Sequence, residues 1–160
     1  PGLFEPMDKL SRAQMATFLW RFMDCPLVAD ASPFIDVARN SWYDAATDWL
    51  FASGITTGTA PDLFAPDEIV TRAQMATFLW RLCGSIIPVN PSPFQDVPSG
   101  RYFTTAVAWL YETEITTGVT SNHFDPNAFV TRGQMATFLH RLATTSAAWT
   151  VVTPPPVVVL

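Results

Sequence analysis

Apolar residues in this chain fall into short stripes with helical spacing. Met75, Phe78, Leu79 and Leu82 stand at i, i+3, i+4 and i+7, one face of a helix. Met15, Phe18, Leu19 and Phe22 form the same stripe, as do Met135, Phe138, Leu139 and Leu142. Each is preceded by a capping-box pattern: Ser11 with Gln14, Thr71 with Gln74, and Thr131 with Gln134. A second, shorter signal comes from Tyr43, Ala46, Trp49 and Leu50. It predicts a helix from about Trp42 to Ser53, with Ser41 as N-cap and Gly54 as the stop. A counterpart is expected from about Tyr102 to Thr113, where Glu114 replaces the glycine and the stop must be made differently. The elements predict an all-α fold.

The stripes recur because the sequence repeats at an offset of 60 residues. Arg12–Arg21 and Arg72–Arg81 are identical, and Arg132–Arg141 differs only at Gly133 and His140. The same offset links Phe34-Ile35-Asp36-Val37 to Phe94-Gln95-Asp96-Val97, and Ile55-Thr56-Thr57-Gly58 to Ile115-Thr116-Thr117-Gly118. Leu3, Phe4 and Pro6 match Leu63, Phe64 and Pro66. The expected organisation is the C-terminal half of a first repeat (1–24), a second repeat (33–84), a third (93–143) and an exit linker (144–160). The missing half-repeat is expected upstream of Pro1. Each complete repeat holds two helices and a loop, Gly54 to Val70 in the second, long enough to suggest function. Three like stripes need burial, which a closed pseudo-threefold bundle achieves; an open stack is the alternative.

Composition narrows the function. Apolar residues make up 49% of the chain and charged residues 14%, which suits a packed core. The net charge of −5 argues against nucleic acid as partner. No apolar run is long enough to insert in a membrane. His123 and His140 are the only histidines and neither recurs, and no nucleophile, base and orienting group share a recognisable spacing, so no enzyme chemistry is expected. No clustered ligands suggest a metal or other cofactor.

Binding candidates come from the recurring polar and aromatic positions. Arg72 falls at the first helical position, as do Arg12 and Arg132. Beside free backbone N–H groups, such an arginine makes a receptor for a carboxylate or phosphate; an internal ion pair with Asp36, Asp96 or Asp67 is the plainer reading. Asp36 and Asp96 can accept sugar hydroxyls or cap a turn. Trp42 and Tyr102 can stack on a sugar face, whereas Trp49 and Trp109 share a stripe with leucine and belong in the core. Gly58 and Gly118 serve a tight turn or a close ligand approach. Cys25 and Cys83 end two equivalent helices, and can be a disulfide or two isolated thiols.

The ordered series Phe-x-Asp-Val, Trp-Tyr-x-x-Ala, Gly-Ile-Thr-Thr-Gly, Phe-x-Pro and Thr-Arg-Ala-Gln resembles the S-layer homology repeat over about residues 3 to 143. The resemblance implies repeats grouped in threes around a central helical bundle. It also implies a module, outside the cell on the wall, that binds a secondary cell-wall polysaccharide, often pyruvylated, through inter-repeat grooves. The family's Thr-Arg-Ala-Glu has Gln in all three copies here, and Gln14, Gln74 and Gln134 join the arginines as implied ligand residues. Glutamine keeps the capping box and loses the charge. The Met-Ala-Thr-Phe-Leu continuation looks like versions from high-GC Gram-positive bacteria. A self-assembling scaffold and an accessory domain of an exported hydrolase are the rival roles.

Overall fold

The computed structural model describes residues 3–145. It contains five helices, α1 (Arg12–Phe22), α2 (Asp44–Ala52), α3 (Arg72–Leu82), α4 (Thr104–Glu112) and α5 (Arg132–Thr144). Among the described residues there is no strand, only isolated bridges such as Thr71 to Phe129. The exit linker from residue 146 onward lies outside the described residues.

All three capping boxes form, and these set where α1, α3 and α5 begin. The hydroxyl of Ser11, Thr71 or Thr131 accepts the N–H of Gln14, Gln74 or Gln134. Each glutamine carbonyl in turn accepts the capping residue's own N–H at 2.9–3.0 Å.

The shorter helices start two residues later than the pattern suggests, and Ser41 is not the cap. The residue before α2 is Tyr43, already in helical conformation and without a side-chain cap. A capping side chain needs extended backbone. Here residues 41–43 curl into a turn, and the Ser41 carbonyl, not its hydroxyl, takes the Asp44 N–H at 3.2 Å. The C-terminal stops match each other despite their chemistry. Gly54 (φ +69°) and Glu114 (φ +59°) both turn left-handed and donate to the carbonyl three residues back, at 2.9 and 3.0 Å. Glutamate accepts a conformation that costs a non-glycine residue about 1 kcal/mol.

The described residues divide into two compact units, 11–69 and 3–10 with 70–145. In the first, α1 packs on α2; in the second, α3 packs on α4. Each pair joins the second helix of one sequence repeat to the first helix of the next, across a short linker. Met15, Leu19, Trp49, Leu50, Ile55 and Phe64 are fully buried in the first unit. Met75, Leu79, Leu110, Ile115 and Phe124 are their counterparts in the second, with Trp109 beside them. Each such side chain contributes about 1.5–3 kcal/mol on burial. The two tryptophans are core residues, as the stripes indicate.

The 60-residue period also appears as a closed cycle of backbone hydrogen bonds within the second unit. Leu10 N–H donates to Val130, Val130 to Val70, and Val70 to Leu10, at 2.8, 2.9 and 2.9 Å. All three residues are fully buried. Equivalent positions of three repeats thus satisfy one another in rotation, the pseudo-threefold relation expected of the fold. The cycle sits immediately before the helix starts that carry the recurring arginines.

Candidate functional site

The helix starts are built alike, and their orphan N–H groups are already used. In α1 the Arg12 N–H donates to Glu68 and the Ala13 N–H to Pro66, both at 2.9 Å. In α3 the partners are Ala128 and Pro126, at 2.9 and 3.0 Å; in α5 they are Asp8 and Pro6, at 2.9 and 2.8 Å. The capping hydroxyls and carbonyls take the next two. The expected receptor of free N–H groups is therefore absent: the loop carbonyls fill it because they pass directly over the helix end.

The arginines are turned to the same loops. Arg12 Nε donates to the Phe64 carbonyl at 2.6 Å, and its guanidinium lies 4.7 Å over the Phe64 ring. Arg72 does the same to Phe124, at 2.7 and 4.6 Å. Arg132 does so to Phe4, at 2.8 and 5.2 Å. Arg12 and Arg72 are buried. Burial pulls the Arg72 pKa below the ordinary arginine value, opposed by the charges of Asp125 and Asp96. Stacking on an aromatic face and one strong Nε–H bond compensate for part of the lost hydration.

Asp36 and Asp96 hold the other end of the clamped residue. Asp36 accepts the N–H groups of Phe64 and Ala65 at 2.8 and 2.7 Å. Asp96 accepts those of Phe124 and Asp125 at 2.9 and 2.7 Å. The plainer reading of Arg72, an ion pair with an aspartate, is corrected here. Arg72 and Asp96 both bind Phe124, so the carboxylate's lone pairs go to amides. The ring of Phe34 packs 5.6 Å from Phe64, and Phe94 packs 5.8 Å from Phe124. Phe64 and Phe124 are the residues the sequence reading passed over. Their recurrence marked the repeat, but only the fold shows them as the centre of each clamp.

Gly58 and Gly118 complete the loop. Both are left-handed, at φ +84° and +83°. A Cβ on Gly58 would stand 2.5 Å from the Ala60 carbonyl and 2.6 Å from the Phe34 ring. On Gly118 it would meet the Phe94 ring at 2.5 Å and the His123 carbonyl at 2.6 Å. Close approach within the chain accounts for both glycines. Gln14, Gln74 and Gln134 serve the caps through their carbonyls.

Among the described residues, exposed rings and an open depression are accessible to a ligand. Trp42 and Tyr102 are each 61% exposed, and each is braced edge-on at 5.1 Å by the next ring, Tyr43 or Phe103. In the unit containing α4, an open depression of about 470 Å³ is lined by Tyr111, Thr117, Gly118, Val119, Thr120 and Ser121. An exposed ring beside several hydroxyls suits a sugar. The two cysteines are free thiols in the structure. Cys83 is sealed in the core at the end of α3, and Cys25 is exposed.

The S-layer homology domain matches residues 33–76 and 93–136, more than half of the chain's 160 residues. The chain belongs to the S-layer homology family. Modules of this family are non-catalytic and anchor surface proteins to the cell wall, which puts this chain at the cell surface. An endoglucanase of Bacillus sp. (strain KSM-635) is 37% identical over 108 residues, 68% of this chain and 11% of the relative. A cell surface protein of Thermoanaerobacter kivui is 33% identical over 118 residues, 71% of this chain and 16% of the relative. An S-layer protein of Bacillus thuringiensis subsp. finitimus is 28% identical over 141 residues, 86% of this chain and 17% of the relative. The S-layer homology repeats therefore span under a fifth of these relatives' lengths. Among the described residues no helix is long and apolar enough to cross a membrane, and no cluster of three potential metal ligands occurs.

Proposed function

We propose that these S-layer homology repeats hold a larger exported protein on a secondary cell-wall polysaccharide. The sugar rests on the exposed aromatic rings that the repeats present. The observation that carries this reading is the pair Trp42 and Tyr102. Large aromatic rings are normally buried, yet equivalent positions keep one exposed to the same degree, in the same edge-on brace. A rigid exposed ring is a platform for the apolar face of a sugar.

The clamps place the loops that such a ligand contacts. Arg72 is a buried positive charge, and within ion-pair distance no carboxylate meets it among the described residues, Asp125 and Asp96 acting from farther off. That favours an anionic polymer, including a pyruvylated one. Gln14, Gln74 and Gln134 add no charge of their own. The Met-Ala-Thr-Phe-Leu helix continuation supports a high-GC Gram-positive source. The relatives' names divide between surface-layer proteins and hydrolases, which fits an anchor joined to different cargo.

Titration of the protein with purified wall polysaccharide, followed by tryptophan fluorescence, tests the reading. Trp42→Ala and Tyr102→Ala are each expected to weaken binding about tenfold, the loss of roughly 1–1.5 kcal/mol of stacking. Unchanged affinity in a folded double variant would remove the aromatic platform from the account.

A further inference from the structure

We propose that the two exposed rings take sugars of different charge. Tyr102, with Arg101 beside it, takes an acidic sugar bearing a carboxylate or phosphate, and Trp42 takes a neutral one. The assignment rests on the reading of these rings as saccharide platforms, and adds Arg101 to it as a specificity-determining residue. The rings themselves do not differ enough to discriminate, being equally exposed and equally braced. Their surroundings do. Residues 38–48, around Trp42, carry one arginine and two aspartates; the equivalent residues 98–108, around Tyr102, carry one arginine and no acid.

The arginine near Trp42 is engaged within its own repeat. Arg39 Nη1 donates to Asp44 and Asp48 at 3.0 and 3.1 Å, and its Nη2 to the Ser32 carbonyl at 3.0 Å. One positive charge between two carboxylates leaves this stretch with a negative surplus. Asp44 also pins the turn before Trp42, its Oδ2 accepting the Asn40 N–H at 2.7 Å. The turn that carries Tyr102 is pinned without a charge. Thr104, the counterpart of Asp44, accepts the Arg101 N–H at 3.0 Å and donates to the Pro98 carbonyl at 2.7 Å. Ala108 stands where Asp48 does. The acids flanking this stretch are occupied elsewhere, Asp96 with the amides of Phe124 and Asp125, and Glu112 with those of Val89 and Asn90. Arg101 is exposed and, among the described residues, meets no carboxylate within ion-pair distance. A fixed turn thus presents a ring for the apolar face of a sugar and a guanidinium fork for its anionic group. The same sugar over Trp42 would meet the surplus carboxylate.

The test is NMR titration of the whole protein with three probes, methyl glucoside, methyl glucuronide and glucose 6-phosphate, followed at the ring resonances of Trp42 and Tyr102. At low salt at least one anionic probe is expected to bind at Tyr102 about fivefold more tightly than methyl glucoside, and neither to do so at Trp42. The stronger of the two anions identifies the acidic group. Arg101→Gln is expected to weaken that anionic probe about fivefold at Tyr102, and about 0.5 M NaCl to have a similar effect, because exposed charges are screened. Equal affinities of charged and neutral probes at Tyr102 would overturn the assignment while leaving the platforms standing. So would an Arg101→Gln variant that keeps the preference or weakens all three probes alike. Titrations in which no probe moves either ring would instead remove the platforms themselves, and the assignment with them.

Discussion

Arg72 and Asp96 grip the same residue from its two ends: Arg72 Nε donates to the Phe124 carbonyl at 2.7 Å, and Asp96 Oδ1 accepts the Phe124 N–H at 2.9 Å. Arg12 and Asp36 repeat this on Phe64, at 2.6 and 2.8 Å. A 60-residue repeat thus preserves a pair of charges that share one loop residue. Each satisfies a loop peptide that lies over the start of a helix.

Asp96→Asn should destabilise the protein by about 2–3 kcal/mol, because a charged acceptor of two amides becomes a neutral group with a single acceptor oxygen. Urea unfolding measures the loss. Asp67→Asn, at an exposed position, is the control and should stay within about 0.5 kcal/mol of the parent.

Arg72→Lys keeps the charge and loses both the Nε–H bond and the planar stacking surface. We expect a cost of about 2 kcal/mol, although the residue would usually be counted as conserved. A substitution without effect on the urea midpoint would mean that charge alone matters at this position.

Two glycines separate backbone strain from crowding. Gly54 and Gly58 are both left-handed, but a Cβ on Gly54 meets nothing within 4 Å, while on Gly58 it meets the Ala60 carbonyl and the Phe34 ring. Gly54→Ala should cost about 1 kcal/mol, the price of the conformation. Gly58→Ala should cost at least twice as much, since backbone must also shift. Equal midpoints would contradict the packing of Phe34.

The two thiols should behave as differently as their surroundings. Cys25 should react with a maleimide in the native protein, and Cys83 only after unfolding. Burial pushes the Cys83 thiol up to about 12 from an ordinary 9.0. Ionisation therefore favours the unfolded chain. The stabilisation is complete below pH 9.0 and is lost as pH rises from there toward about 12. Replacing Cys83 with alanine should flatten that alkaline decline.

Much of this was legible in the sequence, for physical reasons. Stripes of Met, Phe and Leu at helical spacing have one way to be buried, and Thr71 with Gln74 names its own helix start. The starts of α2 and α4 were not legible, because the turn at residues 41–43 competes with a serine cap and wins locally. The role of the recurring arginines was half legible. Their position at N1 followed from the capping box, but the carbonyls that occupy the neighbouring N–H groups come from residues 53 to 127 positions away. Such contacts depend on the loop path, which no local pattern encodes. The aromatic pair Trp42 and Tyr102 was read from its 60-residue offset alone, and its exposure is what the fold adds.

The central claim is anchoring to a wall polymer, and co-sedimentation with bacterial wall sacculi, before and after chemical removal of the secondary polysaccharide, tests it most directly. The account predicts that the protein pellets with intact sacculi, stays in solution with stripped ones, and is released by Trp42→Ala combined with Tyr102→Ala. Equal binding to stripped sacculi, or no binding by the folded protein to intact ones, would contradict it.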